Sequence, residues 1–329
     1  MKAVRVRKEL AEEVRRLAEK MGVKDKKRLV VSKGDFVEIP IIDGGEIYFQ
    51  NFEIIEQTDL AKIEGRSLKD LLDLPEEKVS QINYKVLGEL ILVKIPEELE
   101  DRKNEIGNAL LKLHKNCKAV WLDRGKEGML RKPKVELIAG SGSETIYKEN
   151  GCIFKFDVRK VMFSSGNKGE RMRIAKIVNE GEVVVDMFAG IGYFSIPIAV
   201  HSKAEKIYSI EVNPDSYYYL LENINLNNVT NVNPILGDSM FVTPRNVADR
   251  VIMGHIYCQD FLPAAIRALR GKGYIHYHEA VPRHLTWRAE DRVKRACARM
   301  GRKVQIISTR KVKNYSPNVY HVVVDAYVY

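Results

Sequence analysis

Apolar runs separated by polar turns divide this chain, and one stretch carries the clearest pattern. Residues 183–185 are three valines, which is typical of a strand buried on both faces of a parallel sheet. Asp186 ends this run, and Gly190 and Gly192 follow, where glycine allows a tight turn and close approach of the backbone to a ligand. The apolar segment 191–200 then predicts a packed helix. Strand, glycine turn and helix predict the opening of a nucleotide-binding βαβ unit, whose ligand lies at the carboxyl end of the strand.

The same pattern of alternating strands and helices fills the region 152–329, as a doubly wound α/β sheet requires. A basic helix is predicted over 168–178, before the valine strand. The last two strand candidates, 303–308 and 320–329, are joined by a basic loop at 310–317. We expect these two strands to form an antiparallel edge on an otherwise parallel sheet.

Two smaller α/β units are predicted before this large domain. Residues 1–60 form a small N-terminal domain, with a helix over 4–21 because apolar positions recur there at helical spacing. Three short strands follow, at 28–31, 36–40 and 47–49. Nothing in this domain is typical of catalysis, so a binding or a structural role is expected.

Residues 61–83 are predicted to be a linker with a short helix, and residues 84–151 a middle α/β domain. The apolar run 86–95 predicts a strand, and a helix follows up to His114. The segment 124–134 is basic, contains glycine and is predicted to be a loop.

The charge balance favours a polyanion as partner. The chain of 329 residues has 54 lysines and arginines against 44 acids, a net charge of +10. A soluble surface that merely leans positive is the alternative. No apolar run approaches the ~18 residues of a membrane span, and the N-terminus lacks an apolar signal core. The four cysteines form no C-x-x-C pair, which indicates a reduced cytoplasmic protein without disulfides or a zinc site.

The glycine spacing indicates a ligand without phosphates. The sequence is D-x-F-A-G-x-G rather than G-x-G-x-x-G, and it resembles motif I of the class I S-adenosylmethionine-dependent transferases. Glu211 ends the next predicted strand, where it can accept hydrogen bonds from ribose hydroxyls, and Asp238 follows a further apolar run, near the expected adenine. The alternative is that these acids only cap helices.

Further residues resemble one group of enzymes. K-V-M-F-S at 160–164, G-E-R at 169–171, motif I at 186–192 and Y-S-P at 315–317 occur in this order. They resemble the archaeal enzymes that modify nucleoside 37 of phenylalanine tRNA. Two families share this plan, the tRNA guanine-37 N1-methyltransferases and the wybutosine-synthesis aminocarboxypropyltransferases. The resemblance extends over about residues 84–329 and implies a class I transferase domain with S-adenosylmethionine as co-substrate.

The sequence after the predicted strand 249–253 separates the two families. The N1-methyltransferases have Asn-Leu-Pro there, whereas this chain has Gly254-His255-Ile256. The junction is similar to that of the aminocarboxypropyltransferases, which transfer the 3-amino-3-carboxypropyl group to C7 of 4-demethylwyosine. The N-terminal domain, however, is similar to the first domain of the methyltransferases, so methylation of guanine-37 stays the alternative.

The resemblance implies roles for particular residues. Glu170 and His255 are candidates for the catalytic base, although Glu170 could instead cap its helix and His255 could be a pocket wall. For Arg171 and Ser164 the alternatives are a helix-surface arginine and a helix N-cap. The expected cofactor-binding residues are Phe163, Ser164, Arg171, Asp186, Phe188, Gly190, Gly192, Glu211, Asp238, Ser239 and Gly254.

Basic segments flanking the transferase fold are the candidates for contacts to the tRNA anticodon loop, expected to be that of tRNA(Phe). They would bind phosphates, and a tyrosine there could stack on a base, unless they are simply solvated. The residues are Arg124, Arg131, Lys132, Lys134, Arg310, Lys311, Lys313 and Tyr315. His276 and His278 share one face of a predicted strand, but a third ligand is missing, so no metal is expected. The sequence indicates neither a membrane nor an obligate protein partner.

Overall fold

The computed structural model describes residues 1–25, 27–57, 67–128, 132–163 and 165–329. The chain divides into two compact units, Met1–Leu71 and Leu72–Tyr329. Among the described residues, no helix is both long and apolar enough to cross a membrane.

The described residues of the first unit form an antiparallel sheet of strand order β2-β3-β1-β4 and one α-helix. Its elements are β1 (Lys2–Arg7), α1 (Ala11–Lys20), β2 (Val31–Lys33), β3 (Phe36–Pro40) and β4 (Glu53–Glu56). The helix predicted from residue 4 is wrong at its start, because Val4 and Val6 alternate with arginines and fill the buried face of a central strand. The strand predicted at 47–49 is also wrong, since Gly45–Phe49 is a 3₁₀ helix.

The second unit begins with a four-stranded sheet of order β5-β6-β7-β8, in which only β6 and β7 are parallel. Its elements are α2 (Glu76–Ser80), β5 (Asn83–Leu87), β6 (Leu90–Lys94), α3 (Lys103–Leu113), β7 (Ala119–Glu127) and β8 (Lys132–Gly140). The single strand predicted at 86–95 is a hairpin, because Gly88 turns the chain with φ of +61°. A separate hairpin, β9 (Glu144–Glu149) and β10 (Cys152–Asp157), leads to the large domain.

The large domain is the doubly wound sheet that the sequence predicts. Its strand order is β13-β12-β11-β14-β15-β17-β16, and only the pairings of β17 are antiparallel. The strands are β11 (Val183–Asp186), β12 (Lys206–Glu211), β13 (Val232–Leu236), β14 (Ala248–Met253), β15 (Leu269–Pro282), β16 (Val304–Ser316) and β17 (Val319–Val328). The helices are α4 (Lys168–Ile177), α5 (Ser195–His201), α6 (Pro214–Leu226), α7 (Ser239–Val242), α8 (Leu262–Ala268) and α9 (Trp287–Arg299).

Apolar clusters cover both faces of this sheet. One contains Ala265 of α8 and Val293 of α9, and the other contains Ile174 of α4 and Ile198 of α5. Because these clusters cover the faces of the sheet, the carboxyl ends of its parallel strands form an edge at which polar side chains can gather.

Two predicted basic loops are strands instead. Arg124 lies in β7 and Lys132 and Lys134 lie in β8, while Arg131 lies outside the described residues. The loop predicted at 310–317 is mostly strand, because β16 pairs with β17 up to Ser316 and the turn consists of two residues, including Asn318 with φ of +57°. Lysine and arginine side chains on these strands obscure the alternation that would otherwise predict a strand.

Candidate functional site

Asp186 organises the turn at the end of β11. It is fully buried and accepts hydrogen bonds from the Ser195 hydroxyl, at 2.7 Å, and from the backbone N–H of Phe188, at 3.3 Å. Burial raises the pKa of Asp186 to about 6. The carboxyl group therefore joins the glycine turn to α5.

The two glycines of the turn have conformations that other residues rarely adopt. Gly190 has φ of +59° and Gly192 has φ of +98°. A Cβ on Gly192 would lie 2.5 Å from Cγ1 of Ile196, so α5 packs directly on the backbone of the turn. The N–H of Gly190 donates to Oε2 of Glu211 at 2.7 Å, which ties the turn to the neighbouring strand.

Acidic residues follow the ends of the next two strands. Glu211 ends β12, and besides Gly190 it accepts a 2.7 Å hydrogen bond from the N–H of Asn213. Burial raises its pKa, while these backbone donors oppose the rise and fix the carboxylate direction. Asp238 follows β13 and caps α7 by accepting from the N–H of Met240 at 2.8 Å. Ser239 is buried and its hydroxyl donates to the carbonyl of Met187.

Arg171 and Phe163 are packed inside the domain. The Arg171 side chain is 2% exposed, and its Nη1 donates to Oε1 of Glu149 at 2.8 Å. Its guanidinium lies about 5 Å from the ring centres of Phe163 and Tyr193. The alternative of a helix-surface arginine is therefore wrong. Contacts of these residues with a cofactor stay a prediction, and Ser164 lies outside the described residues.

The junction after β14 forms a wall of aromatic rings. Gly254 has no room for a side chain, since a Cβ would lie 2.7 Å from the ring of Phe194. His255 lies against Phe188, with ring centres 5.5 Å apart, and is partly exposed. Of the three junction residues, Gly254, His255 and Ile256, only His255 has a side chain that can accept a proton.

Glu170, the second candidate base, is 9% exposed and lies in the first turn of α4. Arg173 donates to both of its carboxylate oxygens, at 3.0 and 2.6 Å. Arg310 approaches Oε2 to 3.7 Å, and Nε2 of His278 lies 3.9 Å from Oε1. The carboxylate therefore lies between the basic strand β16 and the strand next to Gly254.

The structure confirms that His276 and His278 share one face of β15, but both side chains contact other residues of the protein. His276 lies between Arg250 and Asp325, and His278 contacts His321, with Nδ1 and Nε2 2.9 Å apart. Within the described ranges, no group of three or more potential ligands could hold a metal ion.

Part of the predicted RNA-binding set lies beside the junction. The hydroxyls of Tyr315 and Tyr257 are 3.3 Å apart, and Nζ of Lys126 lies 5.7 Å from the Tyr315 ring centre. Arg124 instead pairs with Glu100 and Glu136, so its charge is balanced within the protein. Lys132 and Lys134 are exposed.

Three family models match the chain in succession. They describe the tRNA methyltransferase 5 N-terminal domain at 3–49, the TYW2 N-terminal domain at 68–143 and the TRM5/TYW2 methyltransferase domain at 145–307. The tRNA(Phe) (4-demethylwyosine(37)-C(7)) aminocarboxypropyltransferase of Methanocaldococcus jannaschii is 47% identical over 248 residues, which are 74% of this chain and 97% of that protein. The chain belongs to the TRM5/TYW2 family. The resemblance seen in the sequence is thus confirmed.

Other TRM5/TYW2 members match more than three quarters of the chain. The tRNA (guanine(37)-N(1))-methyltransferase Trm5b of Pyrococcus abyssi is 38% identical over 98% of both chains. Its crystal structure matches with a TM-score of 0.73 and covers 100% of this chain and 99% of that one. The Pyrococcus horikoshii TYW2 structure in complex with MeSAdo has a TM-score of 0.70 at 36% identity, over 78% of this chain and 95% of that one. The predicted class I fold is confirmed.

Sequence reasoning missed three charged partners in this TRM5/TYW2 site. Glu149 binds Arg171, and Arg173 joins Glu170 to Asp325. The spacing of Glu170 and Arg173, three residues apart on a predicted helix, was a usable signal. No sequence signal marks Glu149 or Asp325, because only the tertiary fold brings them to Arg171 and Arg173.

Proposed function

We propose that this chain transfers the 3-amino-3-carboxypropyl group of S-adenosylmethionine to C7 of 4-demethylwyosine at position 37 of tRNA(Phe). The observation that carries the proposal is the junction Gly254-His255-Ile256, where Gly254 packs directly on Phe194. A larger residue at 254, such as the asparagine of the methyltransferases, would require that ring to move. Curated aminocarboxypropyltransferases at 47% and 38% identity support the same reading.

The residues at the sheet edge suit S-adenosylmethionine. A nucleoside needs acceptors for its ribose hydroxyls and its adenine amino group, and it needs no phosphate cradle. Glu211 would accept from the ribose, since backbone donors already aim its carboxylate. Asp238 would address the adenine edge, and the glycine turn would let the ligand approach the backbone.

When bound, the co-substrate supplies an electrophilic carbon on a sulfonium whose departure leaves a neutral thioether. The new bond joins C7 of the acceptor nucleoside to the γ-carbon of the co-substrate's methionine side chain. The bond between that carbon and the sulfonium sulfur breaks, and the proton on C7 must leave. The protein therefore acts mainly by orienting the two reactants. In well-aligned reactions this can lower the activation free energy by about 7–11 kcal/mol. Glu170 and His255 are the candidate proton acceptors, because both lie beside the junction and both are titratable.

The tRNA would bind where β16 meets the junction. Lys313 and Arg310 lie on β16 and would contact phosphates, and the Tyr257–Tyr315 pair would contact an unstacked base of the anticodon loop. Arg310 also pairs with Glu170 and Asp325 within the protein. Lys311, Lys132 and Lys134 offer additional charge, whereas Arg124 is engaged by two acids.

Methylation of guanine-37 at N1 is the second candidate. It is favoured by the N-terminal unit, which matches the tRNA methyltransferase 5 N-terminal domain. Full-length similarity to Trm5b supports it as well.

The by-product decides between the two reactions. We expect incubation with S-adenosylmethionine and tRNA carrying 4-demethylwyosine to release methylthioadenosine and to add an aminocarboxypropyl group, measured by nucleoside mass spectrometry. S-adenosylhomocysteine and a single methyl on tRNA with unmodified guanosine-37 would select the methyltransferase. If neither RNA is modified while S-adenosylmethionine binds, both proposals are wrong.

A further inference from the structure

One arginine of α4, a helix that packs against the large sheet, holds two carboxylates in fixed orientations. Arg173 of α4 binds Glu170 with two hydrogen bonds, Nε to Oε2 at 3.0 Å and Nη2 to Oε1 at 2.6 Å. The other edge of the same guanidinium binds Asp325 of β17, with Nη1 to Oδ2 at 3.1 Å and Nη2 to Oδ1 at 3.0 Å. A planar donor with both edges engaged fixes the relative orientation of the two acids.

Asp325 is in turn held by residues that lie outside α4. Nδ1 of His276 lies 2.6 Å from Oδ1 of Asp325, and the Ser308 hydroxyl donates to Oδ2 at 2.9 Å. Burial alone raises the pKa of Asp325, but the hydrogen bond from His276 and the positive charge of Arg173 bring it well below its usual range. Asp325 therefore stays ionised and keeps its hold on Arg173.

The chain of contacts continues across two more strands. Nη1 of Arg250 donates to Nε2 of His276 at 2.7 Å, so the His276 proton resides on Nδ1 and points at Asp325. Arg250 binds Glu182 through two hydrogen bonds of 2.7 and 2.9 Å. Because β14, β15 and β17 are neighbours in one sheet, these partners share its rigidity.

Glu170 is the residue of this series of contacts that reaches the candidate site. Met253 pairs with Tyr277, which places His278 beside Gly254, and Oε1 of Glu170 lies 3.9 Å from His278 Nε2. That nitrogen is buried and has no hydrogen-bond partner among the described residues. Oε1 of Glu170 thus lies near His278 and the junction while it also accepts a hydrogen bond from Arg173.

We infer that Arg173 is the positioning residue of Glu170 and that Asp325 holds Arg173 in place, so that the Glu170 carboxylate is aimed at the acceptor nucleoside. The inference rests on the proposed function and selects Glu170 rather than His255 as the proton acceptor. A glutamate on the first turn of a helix otherwise samples several rotamers, and a displacement of ~1 Å can cost about a hundredfold in rate.

The test is a set of single-turnover measurements on tRNA carrying 4-demethylwyosine, with the full chain. Arg173→Met is expected to lower the rate of methylthioadenosine release by about tenfold to a hundredfold, since the carboxylate loses its fork. Arg173→Lys keeps the charge without the planar fork, so its rate should lie between the rates of the wild-type chain and of Arg173→Met. The dissociation constant of S-adenosylmethionine, measured by calorimetry, should stay within about twofold, because Arg173 acts through Glu170.

A double-mutant cycle separates positioning from a merely structural role. If Arg173 acts through Glu170, then Glu170→Gln with Arg173→Met should be no slower than Glu170→Gln alone. Losses that multiply would overturn the inference, as would a fully active Arg173→Met or Glu170→Gln variant. If Arg173→Met does not fold, the same cycle with Arg173→Lys decides.

The matched control is Lys203→Met, which removes a cation from an exposed ion pair with Glu180 and should leave all values unchanged. Failure of the unmodified chain to act on either tRNA would refute the proposed function instead. The two failures are therefore distinguishable.

Discussion

At the scale of single residues, backbone N–H groups and arginines set the direction of the carboxylates in the site. Glu211 was predicted from its place after an apolar run, and the backbone N–H groups of Gly190 and Asn213 show how its carboxylate is aimed. Arg171 is an expected cofactor-binding residue, and in this structure its Nη1 donates a hydrogen bond to Glu149. A sequence shows that an arginine is present but not which carboxylate lies next to it.

Replacing Glu211 by alanine should weaken S-adenosylmethionine binding far more than tRNA binding. Charge-assisted hydrogen bonds contribute about 1.5–3 kcal/mol each, so we expect a loss of about tenfold or more in calorimetric affinity. Filter binding of tRNA should change little. Glu222→Ala is the control, because Glu222 of α6 pairs with Lys155 of β10, is not among the predicted site residues and should have no effect on either ligand. Equal losses of both affinities would contradict the role of Glu211.

At the scale of elements, β15 and β17 join the candidate base to the sheet. His276 and His278 lie on one face of β15, and Asp325 and His321 meet them from β17. Alternation along a strand predicted the shared face of the two histidines. It could not predict the partners, because antiparallel pairing brings together residues about 50 positions apart.

These buried histidines should make the protein acid-labile. Burial lowers the pKa of His276 and His278 below 6.5, so below pH 6.5 the unfolded chain binds protons that the folded chain does not. The stability they contribute is present above pH 6.5 and is lost as pH falls toward the folded-state pKa, with a slope of up to about 1.4 kcal/mol per pH unit for each histidine.

Chemical denaturation between pH 7.5 and 5.5 measures this slope. His276→Gln should reduce it, whereas His284→Gln should leave it unchanged because His284 is exposed. A free energy of unfolding that rises as the pH is lowered, or an unaltered slope in His276→Gln, would contradict the assignment.

At the scale of the whole molecule, the chain combines two compact units that match different family models. The M. jannaschii aminocarboxypropyltransferase spans 74% of this chain, whereas Trm5b of P. abyssi spans 98%. The first unit has its own core around Val4, Ile39 and Phe49. Its presence therefore does not by itself decide which group is transferred.

Deleting Met1–Leu71 should leave a folded chain that binds S-adenosylmethionine, because the site residues all lie in the second unit. We expect the KM for tRNA to rise, since the first unit would supply additional RNA contacts. Calorimetry and steady-state kinetics on residues 72–329 measure both. Loss of S-adenosylmethionine binding in a folded fragment would show that the first unit is needed for the site.

The sequence by itself determined the doubly wound sheet, its antiparallel edge, the ligand class and the strand-end acids. These follow from local patterns: a β-branched run, two glycines and an acid at each strand end constrain only their neighbours in the chain. The same local logic was wrong at the start of 4–21, where valines alternate with arginines on a central strand, and at 310–317, where charged side chains on an edge strand conceal alternation.

Only the tertiary structure decided how Glu170 is held and what lies beside the junction. Arg173, Asp325 and His276 come from one helix and two strands, and their mutual distances are set by sheet register rather than by sequence spacing. The physical reason is that a buried charge needs an oriented partner, and the partner can come from any strand that the fold brings within reach.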